Sequence, residues 1–261
     1  MRNVDDRRFA QTLARGIQVL KAFKSSDGPL GNQELSERTG IPKPTISRLT
    51  FTLSELGFLE HLLMFEKYRL GPAAIALGSV ANETIPFIES ASKLMQPLSN
   101  EVGALVSLTM RDGDQMLLTH CWRPTNLPSI WLNVGSRLPM ASTSTGLAYL
   151  ASLDSKKALP LIEKISKEPD VDHKKLLAAI KDSRNSLISC GYVQSIGGWN
   201  SSINAVSVPF RSSSFTEPLV FMCGAPAATM TEKVIAETIG PKLAERVRQL
   251  DISGGGGIGN I

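Results

Sequence analysis

The sequence predicts an α+β protein with two domains joined by a linker helix, and three observations support this. Residues 8–71 contain two short helical segments, separated by a glycine turn and followed by two strand-like segments. That order is the outline of a winged helix-turn-helix. Residues 72–85 are rich in Ala, Gly and Ser and form the predicted linker helix. In residues 86–251, strands flanked by helices at both ends favour an antiparallel sheet.

Each N-terminal element has its own sequence signal. The first helix is predicted over residues 8–24, with an apolar face that consists of Leu13, Ile17, Leu20 and Phe23. Asn32 is the predicted N-cap of a second helix, which ends at Gly40. A third helix is predicted over residues 44–56, and "FLEHLLMFEKYRL" (residues 58–70) has the composition of two strands. The buried stripe of the third helix is predicted to consist of Ile46, Leu49, Leu53 and Leu56.

The remaining elements alternate between helices and strands. An amphipathic helix is predicted over residues 86–103, and the strands "ALVSLTM" and "QMLLTHCW" form a hairpin around "RDGD". "IWLNV" (residues 130–134) is predicted as a further strand. The later predicted elements are helices near 143–153, 155–168 and 172–190, strands "GYVQSIGG", "INAVSVPF" and "PLVFMCGA", a helix over 231–250 and a low-complexity tail over 252–261.

Composition and charge restrict the class of protein. Hydrophobic residues make up 42% of the 261 residues and charged residues 20%, which is enough for a packed core. The net charge is +4, and residues 1–71 contribute +3 through eleven Lys/Arg and eight Asp/Glu. Three cysteines without a CxxC pair indicate a reducing compartment. Neither a signal peptide nor a membrane span is recognisable, so a cytoplasmic location is expected.

The predicted helix at Pro44 carries positive charge at its start, where the helix dipole favours acidic residues. Pro44 fits the first helical position, which makes Lys43 the predicted N-cap. Cations, hydroxyls and free N–H groups at a helix start bind phosphate well, and recognition helices enter the major groove by that end. The alternative is the solvated face of an ordinary core helix. The predicted DNA contacts on this helix are Lys43, Thr45, Ser47, Arg48, Phe51 and Thr52.

Several sequence blocks resemble one family over about residues 10 to 250. In the first domain these are "RGIQVLKAF", "QELSERTGIPKPTISRL", "LSELGFLE" and "KYRLG"; in the second they are "VGSRLPMASTSTGLAYLASL", "GYVQS", "INAVSVPF" and "MCGAP". Their order and spacing resemble the IclR-type bacterial transcription regulators. The resemblance implies a homodimer, often a dimer of dimers, that binds a palindromic operator in double-stranded DNA. It also implies a GAF-like second domain that binds a small metabolite as effector and so controls operator affinity. The residues of that domain, described below, favour a small organic acid as this effector.

The wing departs from the family pattern. Its tip is polar or rich in Gly and Asp in the family, whereas this chain has the apolar "HLLMFEK". We therefore expect the wing to act less as a DNA reader and more as a packing surface. Its expected phosphate contacts are His61, Lys67 and Arg69.

The segment "STSTG" (residues 142–146) places hydroxyls at the start of a predicted helix. Such a cluster can bind a carboxylate, although plain helix capping explains most examples. In similar regulators this segment lines the ligand cavity, together with the turn before "INAVSVPF" and the strand that contains "FMCGA". The resemblance therefore selects Met140, Ala141, Thr143, Thr145, Trp199, Asn200, Ser202 and Cys223 as effector contacts. Trp199 favours an aromatic or otherwise bulky acid, unless it only caps the core. Trp122 and Trp131, on predicted strands, are expected in the core or in an interface.

The residues offer two alternatives to an effector-controlled regulator. A hydrolase could use a serine of "STSTG", but that string is not the GxSxG elbow and no His or acid completes a triad pattern. A second domain that only oligomerises is the other alternative. His120 and Cys121 point to opposite faces of a predicted strand, so they cannot hold one metal ion together. We therefore predict no enzyme activity, no metal and no cofactor.

Overall fold

The computed structural model describes residues 8–24 and 27–254, the side chains of 251–254 excepted. The chain divides into two compact units, with the boundary between Thr84 and Ile85. The fold class is the predicted α+β class. The elements of the first unit are α1 (Gln11–Lys21), α2 (Asn32–Thr39), α3 (Lys43–Glu55), β1 (Leu59–Leu62), β2 (Lys67–Leu70) and α4 (Pro72–Glu83).

Two helix starts lie one residue away from their predicted positions. Gly31, not Asn32, precedes α2, and its N–H donates to the Glu34 carboxylate at 2.6 Å. Pro42, not Lys43, is the N-cap of α3, so Lys43 is the first helical residue. Gly40 ends α2 in the left-handed region with φ 68°, as a residue without a Cβ readily does. Shifts of this size are common at helix ends and leave the helix-turn-helix unchanged.

The first unit has a small core in which α1, α2, α3 and the β1–β2 hairpin meet. Its members include Val19, Leu35, Ile46, Leu49, Leu53 and Tyr68. The predicted burial is wrong at two places. The side chains of Leu13 and Ile17 on α1 are exposed, because Gly16 and Val19 lie on the side of the helix that faces the core. Leu56 follows the last turn of α3 and is exposed as well.

The second unit is built on a six-stranded antiparallel sheet that is flanked by helices. Its elements are α5 (Ile88–Val102), β3 (Leu105–Asp112), β4 (Gln115–Trp122), β5 (Arg137–Pro139), α6 (Ser144–Ser152), α7 (Ser155–Ile165), α8 (His173–Ser189), β6 (Val193–Ile196), β7 (Ile203–Phe210), β8 (Leu219–Pro226), α9 (Glu232–Val234) and α10 (Gly240–Gly254), with a π-helical segment (Ile235–Ile239) joining the last two. The strand order in the sheet is β5-β4-β3-β8-β7-β6.

Two predictions for this unit need correction. The predicted strand at 130–134 is wrong, because these residues lie in a loop and the neighbouring short strand is β5. Helix α10 reaches Gly254, so the predicted tail 252–261 begins within a helix, and residues 255–261 lie outside the described residues.

Both faces of this sheet are buried. One face packs against α5 and α10, and Phe221 and Cys223 of β8 belong to that side. The other face packs against α6, α7 and α8, and Val220 and Met222 belong to that side. Successive strand residues point to opposite faces, so neighbours on β8 lie in different cores.

Candidate DNA-binding and effector sites

The outward face of α3 has the composition that the sequence predicts. Lys43, Ser47, Arg48 and Thr52 are exposed, Thr45 is half-buried, and Phe51 is 65% exposed. Within residues 8–24 and 27–254, neither Lys43 nor Arg48 forms an ion pair. Two cations, several hydroxyls and one aromatic ring therefore remain accessible on one side of the helix that ends the helix-turn-helix.

The inward face of α3 is fixed by a polar contact that the sequence analysis missed. Thr50 is fully buried, and its Oγ1 lies 3.1 Å from both the Asn32 Oδ1 and the Ile46 carbonyl oxygen. Asn32 thus bonds α3 across the motif instead of capping α2. This contact fixes the rotation of α3 about its axis, and with it the side that Arg48 presents.

The wing presents its charges differently from what the sequence predicts. Lys67 Nζ lies 3.3 Å from a Glu34 oxygen, and Arg69 Nη2 lies 2.8 Å from a Glu60 oxygen. Hydrogen bonds from the Gly31 N–H and from Lys67 hold the pKa of Glu34 below its usual range. His61 stacks on Tyr68 with ring centroids 4.6 Å apart. The three expected phosphate contacts of the wing are therefore already engaged within the first unit.

The wing tip is apolar and exposed. Leu63, Met64 and Phe65 form a 3₁₀ turn between β1 and β2. All three side chains are exposed, and Met64 is 88% exposed. The expectation that the wing acts as a packing surface stays a prediction.

A small cavity of the second unit lies at the start of α6. Its walls include Thr143, Ser144, Thr145, Trp199 and Met222, and its volume is about 30 Å³, close to the share of one water molecule in the liquid. Ile130 and Leu132, from the loop after β4, close one side. The cavity thus combines hydroxyls at a helix start with an apolar wall.

The hydroxyls of this cavity have partners. Thr143 is the N-cap of α6: its Oγ1 accepts the Gly146 N–H at 3.1 Å and donates to the Pro139 carbonyl at 2.7 Å. Ser207 Oγ lies 2.8 Å from Ser144 Oγ and 3.2 Å from Thr145 Oγ1. Helix capping therefore accounts for Thr143, whereas Ser144 and Thr145 are held by a residue of β7 that the sequence analysis missed.

The other predicted effector contacts are scattered. Met140 and Ala141 line a larger groove beside α8, which has a volume of about 660 Å³ and carries Asp114, Glu168, Asp170 and Asp172 on its walls. Asn200 Oδ1 accepts the Ser202 N–H in an exposed turn, and neither residue lines either cavity. Cys223 is wrongly predicted, because it is fully buried on the opposite face of the sheet, where burial raises the pKa of its thiol to about 12. Met222 takes its place in the cavity.

The two remaining tryptophans, Trp122 and Trp131, differ in their exposure to solvent. Trp122 is buried on β4, and its Nε1 donates to Ser92 Oγ at 3.1 Å. Trp131 is 95% exposed in the loop whose neighbouring residues close the cavity, so it is not a core residue of this chain.

Gly146 lets α6 begin close to the preceding turn. A Cβ at this position would lie 2.2 Å from the Met140 Cα and 2.3 Å from its carbonyl oxygen. Since backbone cannot yield as a side chain does, we expect Gly146→Ala to lower the free energy of unfolding of the second unit by about 1–3 kcal/mol. Calorimetry measures this, with Gly28→Ala as control, where a Cβ meets nothing within 4 Å. An unchanged Gly146→Ala transition would contradict this packing.

Comparisons with known proteins agree in both units. The family model for the IclR helix-turn-helix domain matches residues 12–62, and the model for the C-terminal domain of the bacterial transcriptional regulator IclR matches residues 80–214. The HTH-type transcriptional regulator TsaQ1/TsaQ2 of Comamonas testosteroni is 28% identical over 93% of this chain and 87% of its own length.

Solved structures share the fold. An IclR family transcriptional regulator from Brucella abortus has 32% identity and a TM-score of 0.83 over 95% of this chain and 94% of its own. An IclR homologue from Microbacterium hydrocarbonoxydans, solved with 4-hydroxybenzoate, has 19% identity and a TM-score of 0.64 over 91% and 99%. The helix-turn-helix unit and the separate sheet unit define a DNA-binding transcriptional regulator. The chain belongs to the IclR family.

Among the described residues, no helix is both long and apolar enough to cross a membrane. In the same part of the chain, no group of three or more His, Cys, Asp or Glu side chains could hold a metal ion.

Proposed function

We propose that this regulator binds a palindromic operator as a homodimer and that a small aromatic acid, bound at the start of α6, controls its affinity for DNA. The observation that carries the effector part is the cavity in which Thr143, Ser144 and Thr145 meet Trp199. In this proposal the protein regulates transcription without catalysing a reaction. It acts in the cytoplasm, where a bacterial operator lies.

The chemistry of the cavity favours a carboxylate. The first N–H groups of a helix have no partner within it, and those of Ser144 and Thr145 can donate to an anion that also benefits from the helix dipole. The larger groove beside α8 is a poorer site for an acid, because its four carboxylates outnumber its cations: Lys175 also lines the groove, and within the described part of the chain only Asp114 of the four is paired, with Lys164.

The size of the cavity implies that the effector changes the structure. An aromatic acid needs several times the present 30 Å³, so the loop with Ile130 and Leu132 or the turn with Trp199 must move outward. A ligand shifts an equilibrium only by its differential affinity for the two states, and an opened cavity would provide that difference. In this proposal the change reaches the first unit through the covalent connection between α4 and α5.

The DNA contacts in this proposal are those of the α3 face: Lys43, Thr45, Ser47, Arg48, Phe51 and Thr52. Lys67 and Arg69 would contribute less, because each would have to leave a carboxylate partner to bind phosphate. A hydrolase gains no support from the cavity, since the hydroxyls of Ser144 and Thr145 bond to another hydroxyl.

The effector proposal is tested with 4-hydroxybenzoate as the probe and acetate as the comparison. We expect 4-hydroxybenzoate to raise the melting temperature of the wild type, since a ligand at 100 times its dissociation constant stabilises the folded state by about 2.7 kcal/mol. Trp199→Ala, at a side chain that is 42% exposed, should reduce this shift because it removes the aromatic wall.

Ser202→Ala is the matched control, because Ser202 is in the same turn and lines neither cavity. A melting temperature that neither acid moves would contradict the effector proposal and favour a domain that only oligomerises. A shift that persists in Trp199→Ala would place the ligand elsewhere.

A further inference from the structure

We propose that the wing tip is an apolar wedge: Met64, supported by Leu63, enters the minor groove of the operator, separates two stacked base pairs and bends the duplex. The inference rests on the proposed function, in which α3 reads the adjacent major groove. It concerns a separate element, whose chemistry differs from that of α3.

The exposure of the tip is the first observation. Leu63, Met64 and Phe65 are consecutive and are 79%, 88% and 64% exposed. A run of exposed apolar side chains is unfavourable in water and usually marks a surface that a partner covers. The side chains that proteins insert between base pairs are of this type, namely Phe, Leu, Ile, Met and Pro.

The tip is held rigidly, as a wedge must be. The strands beneath it pair in register from Leu59↔Leu70 to Leu62↔Lys67. Tyr68 of β2 exchanges backbone hydrogen bonds with Leu30 at 2.8 and 2.9 Å. Glu66 closes the turn in the left-handed region with φ 50°, which a residue other than glycine rarely adopts. Such backbone conformations persist where the surrounding structure enforces them, often at functional sites.

The position of the tip connects it with the DNA-facing side of α3. Lys43, the first residue of α3, and Phe65 of the wing tip line the same groove of the first unit. In the proposed complex, the start of α3 lies in the major groove of the DNA. The β1–β2 hairpin, on the other side of the protein groove between Lys43 and Phe65, then lies against the flanking DNA backbone and the neighbouring minor groove.

The charges of the wing argue for contact with bases instead of phosphates. Lys67 is paired with Glu34 and Arg69 with Glu60, and the tip itself contains no cation. Each of these cations would have to leave its carboxylate partner to bind phosphate, so burial of the apolar tip is a contribution to binding that needs no such exchange. Inserting it between base pairs provides that burial, and the bend brings more of the protein surface against DNA.

The test uses a duplex that the wild-type protein enriches from a random-sequence pool. Energy transfer between dyes at the two ends measures the bend, and 2-aminopurine placed at successive positions reports loss of stacking. We expect the wild type to bend the duplex by an angle within about 20–90°, the range of wedge-inserting proteins, and to raise 2-aminopurine fluorescence at one step.

The variants separate the wedge from general binding. Leu63→Ser combined with Met64→Ser should lose both signals and bind more weakly, with an unchanged dependence on salt because no phosphate contact is removed. Met64→Leu should retain both signals. Ile188→Ser, at an exposed apolar side chain of α8, controls for a more polar surface and should behave as the wild type.

Two results would overturn the wedge: a straight duplex under the wild-type protein, or an undiminished bend with the double serine variant. Failure of the underlying function looks different, because then the wild-type protein enriches no duplex and both proposals are lost.

Discussion

Replacing Arg48 with alanine is expected to cost about 1–3 kcal/mol of binding free energy at the operator and to relax the preference for one base pair. Arg48 is exposed on α3 and has no ion-pair partner among the described residues, so its guanidinium is available for a bidentate contact with guanine. A gel-shift titration of the selected duplex, and of duplexes with single changes in each half-site, measures both effects.

Lys43→Ala provides the matched comparison on the same helix. Lys43 lies at the helix start, where phosphate binds, so its loss should weaken binding to all sequences alike and reduce the salt slope by about 1. Lys174→Ala, at an exposed cation of α8, should change neither quantity. If Arg48→Ala binds its operator normally, the reading face of the helix is wrongly identified.

The α3 face could be predicted from sequence because the information is local. Ile46, Leu49 and Leu53 recur at helical spacing, which fixes the buried side and leaves Arg48 and Ser47 outside. The pairing of Lys67 with Glu34 could not be predicted in this way, because 33 residues separate the partners and only the fold brings them together.

The lining of the cavity at the start of α6 could be predicted only in part, for a different reason. Thr143 and Thr145 follow from the local pattern of hydroxyls at a helix start. Cys223 and Met222 could not be told apart, because both faces of the sheet are buried and the apolar run of β8 shows no alternation. The mistaken strand at 130–134 has another cause: Arg123, a few residues earlier in the chain, donates to the Ser129 hydroxyl and to the Ile130 carbonyl, which ties these residues into a loop.

The apolar face of α1 illustrates a limit of periodicity. Leu13 and Ile17 have the spacing of a core face, yet the structure leaves them exposed together with Phe9. Helix α4 has no buried residue and exposes Ile75, Leu77 and Val80. Periodicity identifies a face that avoids water, but it does not distinguish a face that meets its own core from one that meets a second chain.

We therefore expect a double substitution on α4, Leu77→Asp with Val80→Asp, to convert the proposed homodimer into a monomer. These side chains are 59% and 61% exposed, so the changes should leave the fold of a single chain intact. A palindromic operator needs two recognition helices at a fixed spacing. A monomer loses the second contact, which lowers affinity by about 10²–10⁴-fold. Sedimentation equilibrium measures the mass, and a gel shift measures the affinity.

Ile188→Asp on α8 is the control, since it places a negative charge at an exposed apolar position of the second unit. It should leave both the mass and the affinity unchanged. A double α4 variant that stays dimeric would show that the apolar faces of α1 and α4 do not join two copies. A variant that becomes monomeric yet keeps full affinity would contradict the palindromic operator instead, because one recognition helix would then suffice.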